Sequence, residues 1–226
     1  MLRLVSRIFF PHTSSITPPH LTPQERLMES RFAALRGYIY TDPEDLKRFR
    51  QLMVNTVLAT DIFDKELQSL RKNRWEKAFH SKIEDSKDED DVDRKATIVI
   101  EHLIQASDVA HTMQHWHIYQ KWNERLFEEM MIAHQQGRMD KNPSIGWYQG
   151  ELGFFDNYVI PLAKKLKDCG VFGVSSDEYL NYALENRREW SIKGGEVVDR
   201  MLTKLKDKQD EEAARKEEEA AKEAAK

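Results

Sequence analysis

The chain has 226 residues, a formal net charge of −4, 33% charged and 40% hydrophobic side chains, 9 glycines, 7 prolines and one cysteine. That length supports one domain with extensions and a sizeable core, and the scarcity of Gly and Pro favours long helices over a turn-rich sheet fold. The charge balance argues against a nucleic-acid binder, which needs a basic excess, and the lone Cys169 excludes an intrachain disulfide or a cysteine-rich zinc module and fits a reducing compartment.

Residues 1–21 are rich in Pro, Ser and Thr, and the first 19 contain Arg3 and Arg7 but no acidic residue. This composition fits a mitochondrial transit peptide, a disordered end or a misassigned start. Otherwise a cytoplasmic protein is expected, because no run of about 18 apolar residues could span a membrane. Thr22-Pro23 starts a predicted helix to Arg36, with Thr22 as cap and Pro23 in the first turn. Thr41-Asp42-Pro43 starts a second, through Phe63, whose Phe49, Met53, Val57 and Leu58 recur at helical spacing. The stretch Lys65 to Phe79 continues it or follows closely.

Residues 81–94 read as a charged connector. The run from Ala96 to Ala110 is apolar nearly all round and predicts a buried helix. From Gln114 to Gln136, Tyr119, Trp122, Leu126, Phe127, Met130 and Ala133 form one stripe, which Gly137 ends. Between Ile145 and Lys167 the stripe is Leu152, Phe155, Val159, Leu162 and Leu166, and Pro161 should kink or divide that helix. Ser175 and Ser176 cap a last helix over Asp177 to Lys206. The tail, 207–226, has Glu–Lys pairs at i,i+4 spacing but no apolar seam, so it reads as a solvated helical or disordered extension. The reading is thus an all-α, multi-helix bundle over 22–206 between two extensions.

Asp108 ends the apolar run. A carboxylate there binds a metal, pairs with a charge, or reaches water at the helix end. His111 and His115 have i,i+4 spacing that could share a metal, but no HExxH-type carboxylate accompanies them. Phosphate-loop, Rossmann and nucleophile-elbow patterns are absent. Cys169, at a predicted helix C-terminus, lies at the wrong end to be an activated thiolate.

Three segments in order resemble the catalytic domain of class I cyclic nucleotide phosphodiesterases. They are Val57-Leu58-Ala59-Thr60-Asp61-Ile62; Leu103 to Val109 continuing to Trp122-Asn123-Glu124-Arg125-Leu126-Phe127; and Leu152-Gly153-Phe154-Phe155-Asp156-Asn157-Tyr158 through Leu162. The resemblance covers roughly residues 44–168. It implies the C-terminal part of an all-α domain that hydrolyses cAMP or cGMP to the 5′-monophosphate, in signal transduction, at a centre of two divalent metals (zinc with magnesium or manganese).

On that resemblance Asp108 is a metal ligand and Phe154 stacks on the purine. Tyr119, Trp122 and Leu126 wall the nucleotide pocket, while Asp61 and Ile62 lie at its edge. Glu151 stands where the family has its purine-selective glutamine, with Gln149 two residues earlier, His111 stands where it has an asparagine, and Lys65 where a histidine is usual. The His-Asn-x-x-His and His-Asp-x-x-His motifs, which supply the general acid and most metal ligands, do not occur in the chain. No catalytic residue is therefore assigned, and the sequence is expected to represent an incomplete catalytic domain. The alternatives are a non-catalytic interaction or nucleotide-binding module and a structural helical protein. Besides a cyclic nucleotide, a protein partner is expected to cover apolar faces left open around Trp116–Met130 and Leu152–Leu162.

Overall fold

A computed structural model of the chain describes residues 29–62, 64–80 and 89–224. Among them there is helix but no strand, so the fold is all-α. The candidate helix start at Thr22-Pro23, the possible targeting segment and Phe63 lie outside the described residues. The chain divides into two compact units, one holding residues up to Asp108 with Asp168–Val171, the other Val109–Lys167 with the residues from Phe172 onward.

In the first unit a 3-10 turn, Ser30–Phe32, leads into α1 (Ala33–Ile39), followed by α2 (Pro43–Ala59). The start of α2 follows its local chemistry. Asp42 accepts a hydrogen bond from the Asp45 amide at 2.9 Å, Pro43 occupies the first turn, and Glu44 and Asp45 face the positive end of the helix dipole. The helix stops at Ala59, earlier than the expected Phe63. Two side chains receive its last carbonyls: the buried Gln105 donates Nε2 to Ala59 at 2.8 Å, and Arg71 donates Nη1 to Leu58 at 3.2 Å. Asp64 then caps a separate helix, α3 (Lys65–Trp75), by accepting from the amides of Glu66 and Leu67. A π turn, Glu76–His80, follows.

Helix α4 (Glu89–Asp108) starts inside the stretch expected to be connector, and it packs on α2. It is not buried all round. Ile98, Glu101, His102 and Gln105 face inward, while Ile100 and Ser107 are exposed. The inward polar groups have partners. Arg74 binds Glu101 through Nη1 at 2.8 and 3.1 Å, and His102 Nδ1 lies 2.7 Å from the Ile98 carbonyl with its ring 4.6 Å from that of Trp75. Trp75, Ala78 and Ile98 form the core here, with Phe79 and Cys169 against them.

The second unit begins with a 3-10 turn, Ala110–Met113, and α5 (Trp116–Gln135). Gly137, at φ 68°, turns the chain away, in the left-handed region that glycine enters freely. The segment expected to be kinked or divided at Pro161 is α6 (Trp147–Phe154), a π turn (Phe155–Val159) and α7 (Ile160–Asp168). Pro161 has no N–H for an α-type bond to the Asn157 carbonyl, and its ring crowds that group, so the widened turn relieves the position.

Helix α8 runs unbroken from Ser176 to Ala224 and packs on α5, α6, the 3-10 turn before α5 and the π turn after α6. Its Trp190 is fully buried against Tyr119 and donates Nε1 to the Tyr148 carbonyl at 3.1 Å. Gly194 permits this approach, since a Cβ there would lie 2.8–2.9 Å from the rings of Trp190 and Tyr148. Asn186 donates to the carbonyls of Thr112 and Gln114, fastening the 3-10 turn to α8. This packing corrects the expected open faces. Tyr119, Phe127, Phe155, Val159 and Leu162 are buried, and the exposed apolar side chains lie elsewhere, among them Tyr38, Val57 and Leu70 in the first unit and Ile145, Val174 and Ile192 in the second.

Candidate functional site

In the second unit a polar chain links α5 to α6. Tyr119 and Asn123 are four residues apart on α5, and Trp147 and Glu151 are four apart on α6, so each pair shares one helix face. Where those faces meet, the fully buried Tyr119 donates its hydroxyl to Glu151 Oε2 at 2.7 Å, and Trp147 donates its indole N–H to Asn123 Oδ1 at 3.2 Å. Burial pushes the Glu151 carboxyl up to about 7, and hydrogen bonds from Tyr119 and Asn123 pull the other way. Burial, reinforced by the Glu151 charge, raises the Tyr119 hydroxyl well above its ordinary 10, so it remains a donor.

Phe154 lies one turn beyond Glu151 on α6, and its half-buried ring stacks on Tyr158, with centroids 5.4 Å apart and planes 21° from parallel. Trp122 and Leu126, on the flank of α5, are also half-buried, and the Arg125 guanidinium lies 5.1 Å from the centre of the Trp122 ring. His111 occupies the 3-10 turn before α5, where burial pushes its imidazole down to about 4 and keeps it neutral at physiological pH. The residues expected on a nucleotide-pocket wall thus include one pair in direct contact, Tyr119 with Glu151.

The other named residues belong to the first unit. Asp61 uses its carboxylate locally, accepting from the Asp64 amide at 3.2 Å, and its carbonyl accepts from Arg71 Nη2 at 2.8 Å. The Ile62 carbonyl accepts from Gln68. Asp108, the last residue of α4, is half-buried, and desolvation raises its carboxyl pKa. A divalent-metal centre does not fit this donor set. Among the described residues no three His, Cys, Asp or Glu side chains come together to hold a metal ion, and Asp108 alone cannot hold two. His111 and His115 form no such group either. His115 Nε2 is 2.9 Å from the Tyr182 hydroxyl, a contact with α8.

The family model of 3'5'-cyclic nucleotide phosphodiesterase matches residues 35–171, more than half of the chain. The chain belongs to that family. Two solved structures have the same fold. The phosphodiesterase domain of Salpingoeca rosetta rhodopsin phosphodiesterase is 18% identical, with 79% of this chain and 54% of that one covered at a TM-score of 0.53. A second structure of the phosphodiesterase domain of the RhoPDE fusion protein, from the same choanoflagellate, is 18% identical, with 80% and 55% covered at a TM-score of 0.54. The chain therefore spans about half the length of the solved domains it matches. No curated protein matches it.

Asn123 and Trp147 escaped the sequence reading, although a signal for both was present. Each stands four residues from a named residue, Asn123 after Tyr119 and Trp147 before Glu151, and a polar or N–H-bearing side chain at that spacing shares its neighbour's face.

Proposed function

We propose that these residues form the base-holding part of a phosphodiesterase that hydrolyses cAMP, cGMP or both to the 5′-monophosphate. Glu151 and Phe154 receive the purine, one at its polar edge and the other at its face, with Tyr119, Trp122 and Leu126 behind them and His111 at the margin. The observation carrying this reading is the Tyr119–Glu151 bond beside the Phe154–Tyr158 stack, in a chain of this family. A half-buried acid oriented by a tyrosine and placed one turn from a half-open aromatic ring suits a flat heteroaromatic with polar edges.

Hydrolysis belongs to the complete domain, for which the described residues offer Asp108 alone toward a metal centre. The reading is tested by titrating the purified chain with cAMP and cGMP while following tryptophan fluorescence, and by repeating this with Phe154→Ala. Saturable binding that weakens about tenfold or more in the variant is expected, since base–aromatic stacking contributes about 1–3 kcal/mol. Absence of saturable binding by the folded wild type would refute it.

A further inference from the structure

We propose that Asn186 of α8, with Tyr182 beside it, is a positioning residue for the nucleotide site: it holds the turn that carries His111 and leads into α5, so that its loss weakens cyclic-nucleotide binding. The inference rests on the base-holding role proposed for α5 and α6. The stretch from Ala110 to His115 has little to hold it from within. The 3-10 turn has no side-chain cap, Gln114 is extended, and His115 starts α5 without a side-chain cap of its own. Short 3-10 pieces have poor hydrogen-bond geometry, and helix ends fray.

Three side chains of α8 supply what this stretch lacks. Tyr182, Asn186 and Trp190 follow one another at four-residue spacing and so share one helix face. Asn186, 1% exposed, donates Nδ2 to the Thr112 carbonyl at 2.9 Å and to the Gln114 carbonyl at 2.6 Å. Carbonyls only accept, so the amide is held in one sense with both of its N–H groups spent, and its removal strands two backbone acceptors. One turn earlier the Tyr182 hydroxyl lies 2.9 Å from His115 Nε2, and one turn later the Trp190 ring meets Tyr119 edge-on at 5.8 Å. Tyr119 is tied to the same stretch, since its amide donates to the His115 carbonyl at 3.1 Å. The grip on Thr112 and Gln114 therefore sets where α5 begins, and with it the register at which Tyr119 meets Glu151 and the place of His111. These hydrogen bonds of Asn186 go to backbone carbonyls and to none of the side chains proposed to face the base.

The test is calorimetric titration of the full chain with cAMP, alongside thermal melts and hydrogen exchange, for Asn186→Leu, Tyr182→Phe and Leu205→Ala. Asn186→Leu keeps the side chain's size and removes both donors. Tyr182→Phe removes only a hydroxyl at a more exposed place. Leu205→Ala opens a cavity farther along α8, beside Phe127 and Met201, and serves as a destabilised reference. Asn186→Leu is expected to bind about tenfold more weakly than wild type and Tyr182→Phe about threefold, the range reached by substitutions that touch no ligand, while Leu205→Ala melts earlier yet stays within about twofold. Exchange of the amides of residues 110–118 is expected to quicken in the first two variants and not in the third. Wild-type affinity in folded Asn186→Leu would overturn the inference while leaving the base-holding role standing, as would an equal loss of affinity in Leu205→Ala. Should Asn186→Leu fail to fold, Tyr182→Phe decides by the same criteria. Failure of the wild type to bind cAMP would overturn both readings.

Discussion

Glu151 and His111 provide opposing proton linkages within one unit, and separating them tests the environment of both. Burial holds the Glu151 carboxyl at about 7 against an ordinary 4.5, so between those values the folded state carries a proton that the unfolded chain has released. Stability from this group is full below about 4.5 and is lost as pH rises through 7. His111 is held at about 4 against an ordinary 6.5, so between those values the folded state lacks a proton that the unfolded chain carries. Its contribution is full above about 6.5 and is lost as pH falls through 4. Each shift is worth about 3 kcal/mol, at about 1.4 kcal/mol per pH unit. In the shared window of 4.5–6.5 the two slopes have opposite sign and cancel. Urea denaturation followed by tryptophan fluorescence, from pH 4 to 8, resolves them as differences from wild type. Glu151→Gln should gain relative stability by about 3 kcal/mol from pH 4.5 to 7. His111→Asn should gain about the same as pH falls from 6.5 to 4. Common carboxylate titrations drop out of both differences. Difference curves flat to within about 0.5 kcal/mol would refute the burial argument for the residue concerned.

The adjacent glycines of α8 should respond in opposite senses to alanine. Gly194→Ala drives a methyl against the rings of Trp190 and Tyr148 and should lower stability by about 1–3 kcal/mol, whereas Gly195→Ala enters open space and should raise it by up to about 1 kcal/mol; thermal melts of both variants decide. In the first unit, Arg74→Met leaves the Glu101 carboxylate, 3% exposed, without its cation. A loss of about 3 kcal/mol is expected in the same melts, and restoration of stability by Arg74→Met with Glu101→Gln would attribute that loss to the stranded charge.

What the sequence made legible was mostly local. Asp42-Pro43 marks the start of α2 because the cap and its amide are three residues apart, and Gly137 marks the turn after α5 because a positive φ is a property of one residue. The core stripes of α5 and of the segment around Val159 followed from periodicity alone. Other features required partners far along the chain. Ala96 to Ala110 looks buried all round because its polar members are few, yet Glu101 and His102 lie inside, where Arg74 and Trp75 receive them. The open faces expected on α5 and after α6 close because Trp190 and its neighbours on α8 cover them, and nothing in either stripe announces that cover. The named residues of the candidate site were visible one at a time. The bond from Tyr119 to Glu151 was not, since it depends on two helices 32 positions apart meeting face to face.

Lys208 of α8 pairs with Glu128 of α5, and further along the helix carries its own Glu–Lys pairing, Lys222 with Glu218 at 2.5 Å. Sixteen residues from Lys208 to Ala224 make a rod of roughly 24 Å, at about 1.5 Å per residue. Such a rod transmits angle as well as distance. A reporter fused after position 224 would swing by about 100° around the rod's axis for each residue inserted into it, so a distance measured from that reporter should oscillate with a period near 3.6 insertions.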